Sequence, residues 1–338
     1  GPCERGCSTG SYFSTQSSTL PAAQKTGNLT LRPQSVVETL VYDHQTRRVT
    51  GVNVIDAQSG EKLYFSAKLV FLCASTIATT QILLNSKSDA MPNGLANGSG
   101  VLGHYLMDHS MGLAAMASFE GFDDQYYYGN RPNVIYVPRF RNLNGNDGES
   151  NFIRGYGFQG LARRSNWRGM YTKVPGFGAE YKRALEQPGP WSMMLFGYGE
   201  CLPQHENRVT LSKQRDRFGI PQAAVNFRWH NNELKMREDI ANQAKGMLEA
   251  AGASRVFAST AIKTPGAAVH EMGTARMGRD PKTSVLNRYN QAHQVPNLFV
   301  TDGSCMTSSS CVNPSLTYMA LTARAVDYAV KNLRAGKL

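Results

Sequence analysis

His270 opens a segment of the chain in which a base or a metal ligand could lie, AVHEMGTARMG at residues 268–278. A His-Glu pair could begin a zinc-protease helix, where His-Glu-x-x-His places two ligands on one helix face. Thr274 stands where the second histidine would be needed, and Gly273 and Gly278 disfavour a long helix. The spacing therefore excludes the zinc site and leaves a structural histidine or a catalytic base.

The segment CVNPSLTYMALTARAVDYAVKNL, which begins at Cys311, supplies a second group that could act on a ligand. Its apolar residues recur at helical spacing, with Asn313 suited to the N-cap and Pro314 to the first helical position. A helix start carries unpaired N–H groups and roughly half a positive charge, which stabilise an anionic ligand group. The pattern predicts a helix whose start can bind developing negative charge.

These two segments could belong to one site. The apolar stretch NLFVTDGS reads as a buried strand that ends at Asp302, and ligands of open α/β sheets bind at such strand ends. If His270 and Asn313 reach the same pocket, a base, an amide and an electropositive helix end would suit removal of a hydroxyl proton while a cofactor takes up a hydride. The alternative is an N-cap asparagine and a hydrogen-bonded loop histidine.

The elements that must position these groups have mixed α/β (α+β) character. Residues 28–65 predict a β-meander, KLVFLCAS a strand buried on both faces, and TIATTQILLNS a helix packed on that strand. Residues 110–265 predict an antiparallel sheet with long loops, a hairpin in NRVTLSKQRDRFGIPQAAVNFRWH, and one helix in NNELKMREDIANQAKGMLEAAGA that Gly252 ends. The last seventy or so residues return to α/β character.

Composition narrows the classes of protein. The net charge is +11, from 36 Lys and Arg against 25 Asp and Glu, but the basic residues are scattered, so we expect no nucleic-acid binding. No apolar run approaches the ~20 residues that span a bilayer. The six cysteines are too sparse for a disulfide scaffold, and Cys73, inside an apolar run, is expected to be a reduced core cysteine.

The last third of the chain resembles the glucose-methanol-choline (GMC) flavoprotein oxidoreductases, closest to the bacterial sugar and glucoside dehydrogenase branch. The residues that carry the likeness run from VHEMGTARMGRD through NLFVTDGSCMTSSSCVNPSLTYMALTARAVDYAV. VLGHYLMDH, LVFLCASTIATTQILLNS and NRVTLSKQRDRFGIPQAAVNF resemble family segments in the same order. The resemblance covers most of the chain and is weakest between about residues 120 and 195.

The resemblance implies an FAD-binding domain with a Rossmann-like core and a substrate domain on an antiparallel β-sheet with helices. It places residues 1–109 in the FAD-binding domain, 110–265 in the substrate-binding domain, and 266–338 back in the FAD-binding domain with the active site. His270 matches the family's catalytic base and Asn313 its second active-site position. The residues that match cofactor-binding positions are Val36, Cys73, Ala74, Ser75, Asp302, Gly303, Asn313, Pro314 and Thr317.

The implied function is oxidation of a CH–OH group of a sugar or other alcohol. His270 would accept the hydroxyl proton, Asn313 would hold the same oxygen, and a hydride would pass to flavin N5. A small subunit or an electron-acceptor protein is an expected partner. The sequence does not decide whether the enzyme is an oxidase or a dehydrogenase. It also does not decide between a periplasmic and a cytoplasmic location. The alternative is a non-catalytic fragment that binds carbohydrate or a partner within a larger enzyme.

The chain also departs from the family pattern at its start. The Gly-x-Gly-x-x-Gly loop that holds the cofactor pyrophosphate is absent, so we expect a C-terminal fragment, inactive in isolation, that binds FAD poorly. By the same resemblance, Cys3 and Cys7 supply two thiolates of an iron–sulfur ligand set in the full-length enzyme. A fortuitous pair or a disulfide is the alternative at these two positions.

Overall fold

The computed structural model describes residues 10–125, 134–144, 150–164, 174–187 and 189–338. Its strands are β1 (Ser35–Asp43), β2 (Arg48–Asp56), β3 (Lys62–Ser66), β4 (Val70–Leu72), β5 (Ser110–Phe119), β6 (Ile135–Val137), β7 (Tyr156–Arg164), β8 (Trp191–Gly199), β9 (Arg208–Arg215), β10 (Pro221–Asn226), β11 (Arg255–Ala258) and β12 (Leu298–Val300). Its α-helices are α1 (Leu20–Gln24), α2 (Thr76–Asn85), α3 (Gly178–Glu186), α4 (Asn231–Ala250) and α5 (Ser315–Arg334).

Two parts of the chain that are far apart in sequence meet in a parallel strand pair. β12 pairs with β4, with Leu298 opposite Val70 and Val300 opposite Leu72. β1, β2 and β3 form the expected antiparallel meander, and α2 follows β4. Residues from β1, β2, β4, α2 and β12 share one apolar core, so the buried strands that the sequence predicted at VFL and LFV are confirmed.

Asn297 joins the meander to the parallel pair. It is 1% exposed, accepts a hydrogen bond from the Val49 amide at 2.9 Å, and donates to the carbonyl oxygens of Val49 at 2.7 Å and Lys68 at 3.0 Å. Because a buried side-chain amide satisfies three backbone groups here, the strands on either side are tied without direct pairing.

The middle of the chain forms the expected antiparallel sheet, in the order β11-β5-β8-β7-β6. One face packs on α4 through a cluster that includes Leu195, Met236, Ile240 and Ala244. Side chains of a strand alternate between faces, so Tyr136, which lies opposite Gln159, shares with it the face turned away from α4. The hairpin of β9 and β10 and the single helix α4 are also confirmed.

Helix α5 forms as predicted, but its packing differs from the simplest interpretation of its apolar stripe. Ala325 and Ala329 are fully buried, while Leu316 is 74% and Met319 41% exposed. The helix therefore rests on the core through small residues, beside Phe299, and its larger apolar side chains lie at the surface. Within the described residues, no helix combines the length and apolarity needed to cross a membrane.

Candidate active site

His270 lies at the end of a loop that is fixed on both sides. The amide of Gly266 donates to Asp108 Oδ2 at 2.8 Å, and the residue after next, Met272, exchanges two backbone hydrogen bonds with Met107. Val269, directly before the histidine, has a φ of 55°. The left-handed backbone at this position turns the chain sharply, and the bonds on either side hold His270 in place.

The structure brings His270 and Asn313 together across 43 residues of sequence. Asn313 Nδ2 lies 3.3 Å from His270 Nε2. Asn313 Oδ1 accepts from Gln159 Nε2 at 2.8 Å and from the Tyr136 hydroxyl at 3.3 Å. The pair that the sequence indicated is therefore in contact, joined by two residues of the antiparallel sheet that sequence reasoning missed.

The expected N-cap role of Asn313 is wrong. The N-cap residue of α5 is Pro314, and no side chain caps the helix. The physical reason is competition, because the carboxamide of Asn313 is already bound to Gln159, Tyr136 and His270. Among the described residues no side-chain cap bonds to the start of the helix, so its positive end is available to an anionic group.

Two buried groups next to His270 shape its electrostatics. Burial lowers the pKa of His270, and the nearby carboxylate of Asp108 opposes that shift. His109 is 1% exposed, and neither of its ring nitrogens has a hydrogen-bond partner in the described part of the chain. Burial, followed by the charge of His270, lowers the pKa of His109 to about 4. His270 is thus a neutral imidazole near pH 7, the form that can accept a proton.

Asp302 and Gly303 lie at the carboxyl end of β12, as the sequence predicted. Asp302 Oδ1 accepts from the Ser304 amide at 2.9 Å, and its other oxygen accepts from the Thr79 hydroxyl of α2. A Cβ on Gly303 would lie 2.4 Å from the carbonyl oxygen of Glu271 and 2.5 Å from Thr76 Oγ1. Only glycine fits this close approach between the end of β12, the His270 loop and α2.

Residues 73–75 follow β4 at the same edge of the parallel pair. Cys73, Ala74 and Ser75 are all exposed, and Ser75 has a φ of 73° where the strand turns into α2. The expectation that Cys73 is a core cysteine is therefore wrong, because the buried part of the strand ends at Leu72. The Cys73 thiol lies 3.2 Å from Thr301 Oγ1, at the end of the neighbouring strand.

Val36 lies in a separate pocket of about 280 Å³. The pocket is also lined by Ala74, by Ala78 and Gln81 of α2, and by Asp216. It has both apolar and polar walls, and Ala74 connects it to the strand end at residues 73–75. Val36 and Ala74 thus share one pocket, and Ala74 lies at the edge where β4 and β12 end, while Thr317 is exposed in the first turn of α5.

The predicted iron–sulfur ligands are the last of the predicted site residues. Cys3 and Cys7 lie outside the described residues. Among residues 10–125, 134–144, 150–164, 174–187 and 189–338, no three His, Cys, Asp or Glu side chains are grouped so that they could hold a metal ion.

Known proteins resemble this chain along most of its length. It is 34% identical to the 2-methyl-1,2-propanediol dehydrogenase of Mycolicibacterium austroafricanum, over 83% of this chain and 51% of that protein. It is 27% identical to the fructose dehydrogenase large subunit of Gluconobacter japonicus, over 90% and 54% of the two chains. It is 25% identical to the gluconate 2-dehydrogenase flavoprotein of Pantoea cypripedii, over 90% and 51%. The chain spans about half the length of these curated relatives.

Solved structures share the fold. A pyridoxine 4-oxidase from Mesorbium loti superposes with a TM-score of 0.58 at 18% identity, covering 97% of this chain and 63% of that one. A formate oxidase variant from Aspergillus oryzae RIB40, whose structure concerns FAD modification, superposes with a TM-score of 0.62 at 18% identity, covering 92% and 62%.

Two family models match complementary parts of the sequence. Residues 1–111 match the N-terminal GMC oxidoreductase model, and residues 203–322 match the C-terminal one. The two matches include His270, Asn313 and the strand ends around Cys73 and Asp302. The chain belongs to the GMC oxidoreductase family.

Proposed function

We propose that the enzyme containing this chain is an FAD-dependent oxidoreductase that acts on the CH–OH group of a sugar or other alcohol, with His270 as the base. The observation that carries this proposal is the contact between His270 and Asn313 at the uncapped start of α5. A neutral imidazole, an amide donor and a positive helix end are the groups that oxidation of an alcohol requires.

The residues present fit FAD. The first turn of α5 offers N–H groups and positive potential to an anionic ring system. Gly303 keeps the end of β12 free of a side chain, and residues 73–75 are exposed beside it. The pocket at Val36 and Ala74 has the mixed apolar and polar walls that suit a nucleotide base. When bound, FAD would supply the hydride acceptor.

Residues of this chain would then accept the proton that leaves the substrate hydroxyl. His270 Nε2 would accept it from the substrate hydroxyl, and Asn313 Nδ2, 3.3 Å away, would donate a hydrogen bond to the same oxygen. The buried carboxylate of Asp108 would stabilise the imidazolium that forms. Burial of His270 would keep the base unprotonated before substrate binds.

On this assignment, different segments of the chain bind the flavin and the substrate. We assign residues 1–109 and 266–338 to the flavin-binding part, because they contain the strand ends around Cys73 and Asp302. We assign residues 110–265 to the substrate-binding part, because Tyr136 and Gln159 of its sheet approach the Asn313 amide. The relatives named above act on a branched diol, fructose and gluconate, so polyhydroxylated alcohols are the substrate class to test first.

The test is anaerobic reduction of the flavin-loaded enzyme by 2-methyl-1,2-propanediol, fructose, gluconate and glucose, followed by the loss of the visible flavin bands. One of these substrates should bleach the flavin. His270→Ala should slow that bleaching by about 10²- to 10⁴-fold with FAD still bound. His44→Ala is the matched control, because His44 is exposed in the turn between β1 and β2.

Each outcome decides a separate part of the proposal. Near-normal bleaching of His270→Ala would remove His270 from the base role while leaving the oxidoreductase in place. A folded enzyme that holds no flavin would instead favour the non-catalytic binding module.

A further inference from the structure

We propose that Gln159 is a positioning residue, which orients the Asn313 carboxamide so that its nitrogen faces His270 and thereby keeps His270 Nε2 unprotonated and able to act as a base. This inference rests on the proposed function and names a third protein group on which the base depends.

The Asn313 carboxamide is held from both ends. Its oxygen receives Gln159 Nε2 at 2.8 Å and the Tyr136 hydroxyl at 3.3 Å, and its nitrogen faces His270 Nε2 at 3.3 Å. The 2.8 Å contact is the shortest of the three. Tyr136 and Gln159 are directly opposed in the pairing of β6 with β7, so the sheet presents both donors side by side.

The hydrogen-bonding roles in this chain of amides are coupled. An amide oxygen accepts and an amide nitrogen donates, so reversing Asn313 would bring its oxygen to His270 and its nitrogen to Gln159. In the reversed arrangement His270 Nε2 would have to carry a proton to make its hydrogen bond, and it could not act as a base. The Asn313 orientation in which its oxygen accepts from Gln159 is therefore the one that allows His270 to act as a base.

The other side of the His270 ring does not itself select the tautomer. With Nε2 unprotonated, the neutral ring carries its proton on Nδ1, and Nδ1 is buried without a hydrogen-bond partner among the described residues. No acceptor there fixes the tautomer, so its choice falls to the contact at Nε2. Gln159 thus acts on His270 indirectly, through the side chain of Asn313.

Reversing the polarity of residue 159 tests the proposal. In Gln159→Glu the carboxylate can only accept, so the Asn313 amide should turn its nitrogen to residue 159 and its oxygen to His270. Gln159→Met keeps the size and leaves the Tyr136 donor in place. Gln214→Glu, at an exposed position of β9, makes the same charge change away from the site.

Two readouts are compared. Flavin reduction should fall by about tenfold in Gln159→Met and by on the order of 10²-fold in Gln159→Glu. The added carboxylate should also raise the pKa of His270, moving the acid limb of the rate profile to higher pH. The titratable groups around His270 are Asp108, His109 and Glu271, with Tyr136 one side chain away through Asn313.

The second readout needs no flavin. Long-range proton–nitrogen NMR spectra of the full chain, with His270 assigned by its loss in His270→Ala, should show an unprotonated Nε2. Gln159→Glu should shift that resonance toward a protonated nitrogen, and Gln214→Glu should leave it unchanged. If Gln159→Glu does not fold, Gln159→Met combined with Tyr136→Phe should give the shift, since it removes both donors.

Equal rates in the two Gln159 variants, with an unchanged His270 spectrum, would overturn the positioning role. That result would leave the proposed function intact, because the function depends on the loss of flavin reduction in His270→Ala.

Discussion

The imidazole of His109 stands edge-to-face against that of His270, with ring centroids 5.0 Å apart and ring planes at 86°. His109 is the more deeply buried of the two, and Tyr198 lies against its other side. Two cationic imidazoles at this separation in a desolvated space would repel each other strongly. A neutral His109 therefore leaves the positive charge to His270, the proposed base.

Burial of His109 predicts a loss of stability in acid. Its pKa is lowered to about 4 in the folded chain, against an ordinary value near 6.5, so the unfolded chain binds the proton first. Stability should be full above pH 6.5 and fall by about 3 kcal/mol as the pH drops from 6.5 to 4. Urea unfolding at several pH values should show this loss in the full chain and a smaller one in His109→Leu. Equal acid sensitivity in the two proteins would contradict the assignment.

The carboxylate of Asp108 predicts the position of the acid limb of the rate profile. The proposed base must be neutral, so flavin reduction should fall as the pH falls through the pKa of His270. Because Asp108 raises that pKa, Asp108→Asn should move the limb to lower pH and weaken the base. Flavin reduction measured from pH 5 to 9 checks this, with the exposed Asp124→Asn as control. A limb that stays in place would show that Asp108 acts only through its backbone hydrogen bonds.

The effect of Asn313 on flavin reduction can be separated from any effect on the stability of α5. A lost N-cap costs typically about 1 kcal/mol, but the Asn313 side chain does not cap this helix. Its three hydrogen bonds to other side chains are exposed and compete with water, so Asn313→Ala should change the free energy of unfolding by less than about 0.5 kcal/mol while slowing flavin reduction. Thermal unfolding and reduction rates, measured on the same preparation, check the two effects. A stability loss near that of a removed cap would contradict the geometry at Pro314.

Replacing Gly303 with alanine should cause a steric clash, whereas the same substitution at Gly246 should not. A Cβ there would lie 2.4 Å from the Glu271 carbonyl, so Gly303→Ala should force the backbone apart and cost about 1–3 kcal/mol. FAD binding should weaken with it. Gly246→Ala, inside α4 with nothing within 4 Å of the added methyl, should instead stabilise the chain by up to about 1 kcal/mol. Chemical denaturation and flavin titration of both variants distinguish strain from a general intolerance of the substitution.

Local patterns predicted much of the fold. The meander, the buried strands at VFL and LFV, the hairpin and helix α4 all follow from periodicity and turn residues, which act within a few positions of one another. The contact of His270 with Asn313 was suggested by the order of motifs. It depends on long-range backbone contacts, such as the hydrogen bond from the Gly273 amide to the Gly303 carbonyl oxygen at 3.0 Å, which joins the His270 loop to the residues after β12.

The rest of the site depends on tertiary register. Gln159 and Tyr136 reach Asn313 because β6 and β7 pair in one specific register, and a shift by one residue would turn both side chains to the opposite face. His109 carries no local signal, since a buried histidine without a partner looks like any other in sequence. Asn313 shows the converse, because its cap-like position was overridden by stronger tertiary partners.

The three hydrogen bonds of Asn297 also bear on how the chain opens. They satisfy backbone groups of β2 and of Lys68, two residues before β4, from a side chain that directly precedes β12. Pulling the meander away would leave these buried groups unpaired, at about 1–3 kcal/mol for each. Local fluctuations should therefore not free the meander by itself. The strands of residues 35–72 and the strand of residues 298–300 should therefore open as one cooperative unit and exchange their amide protons together, although more than two hundred residues separate them in the chain.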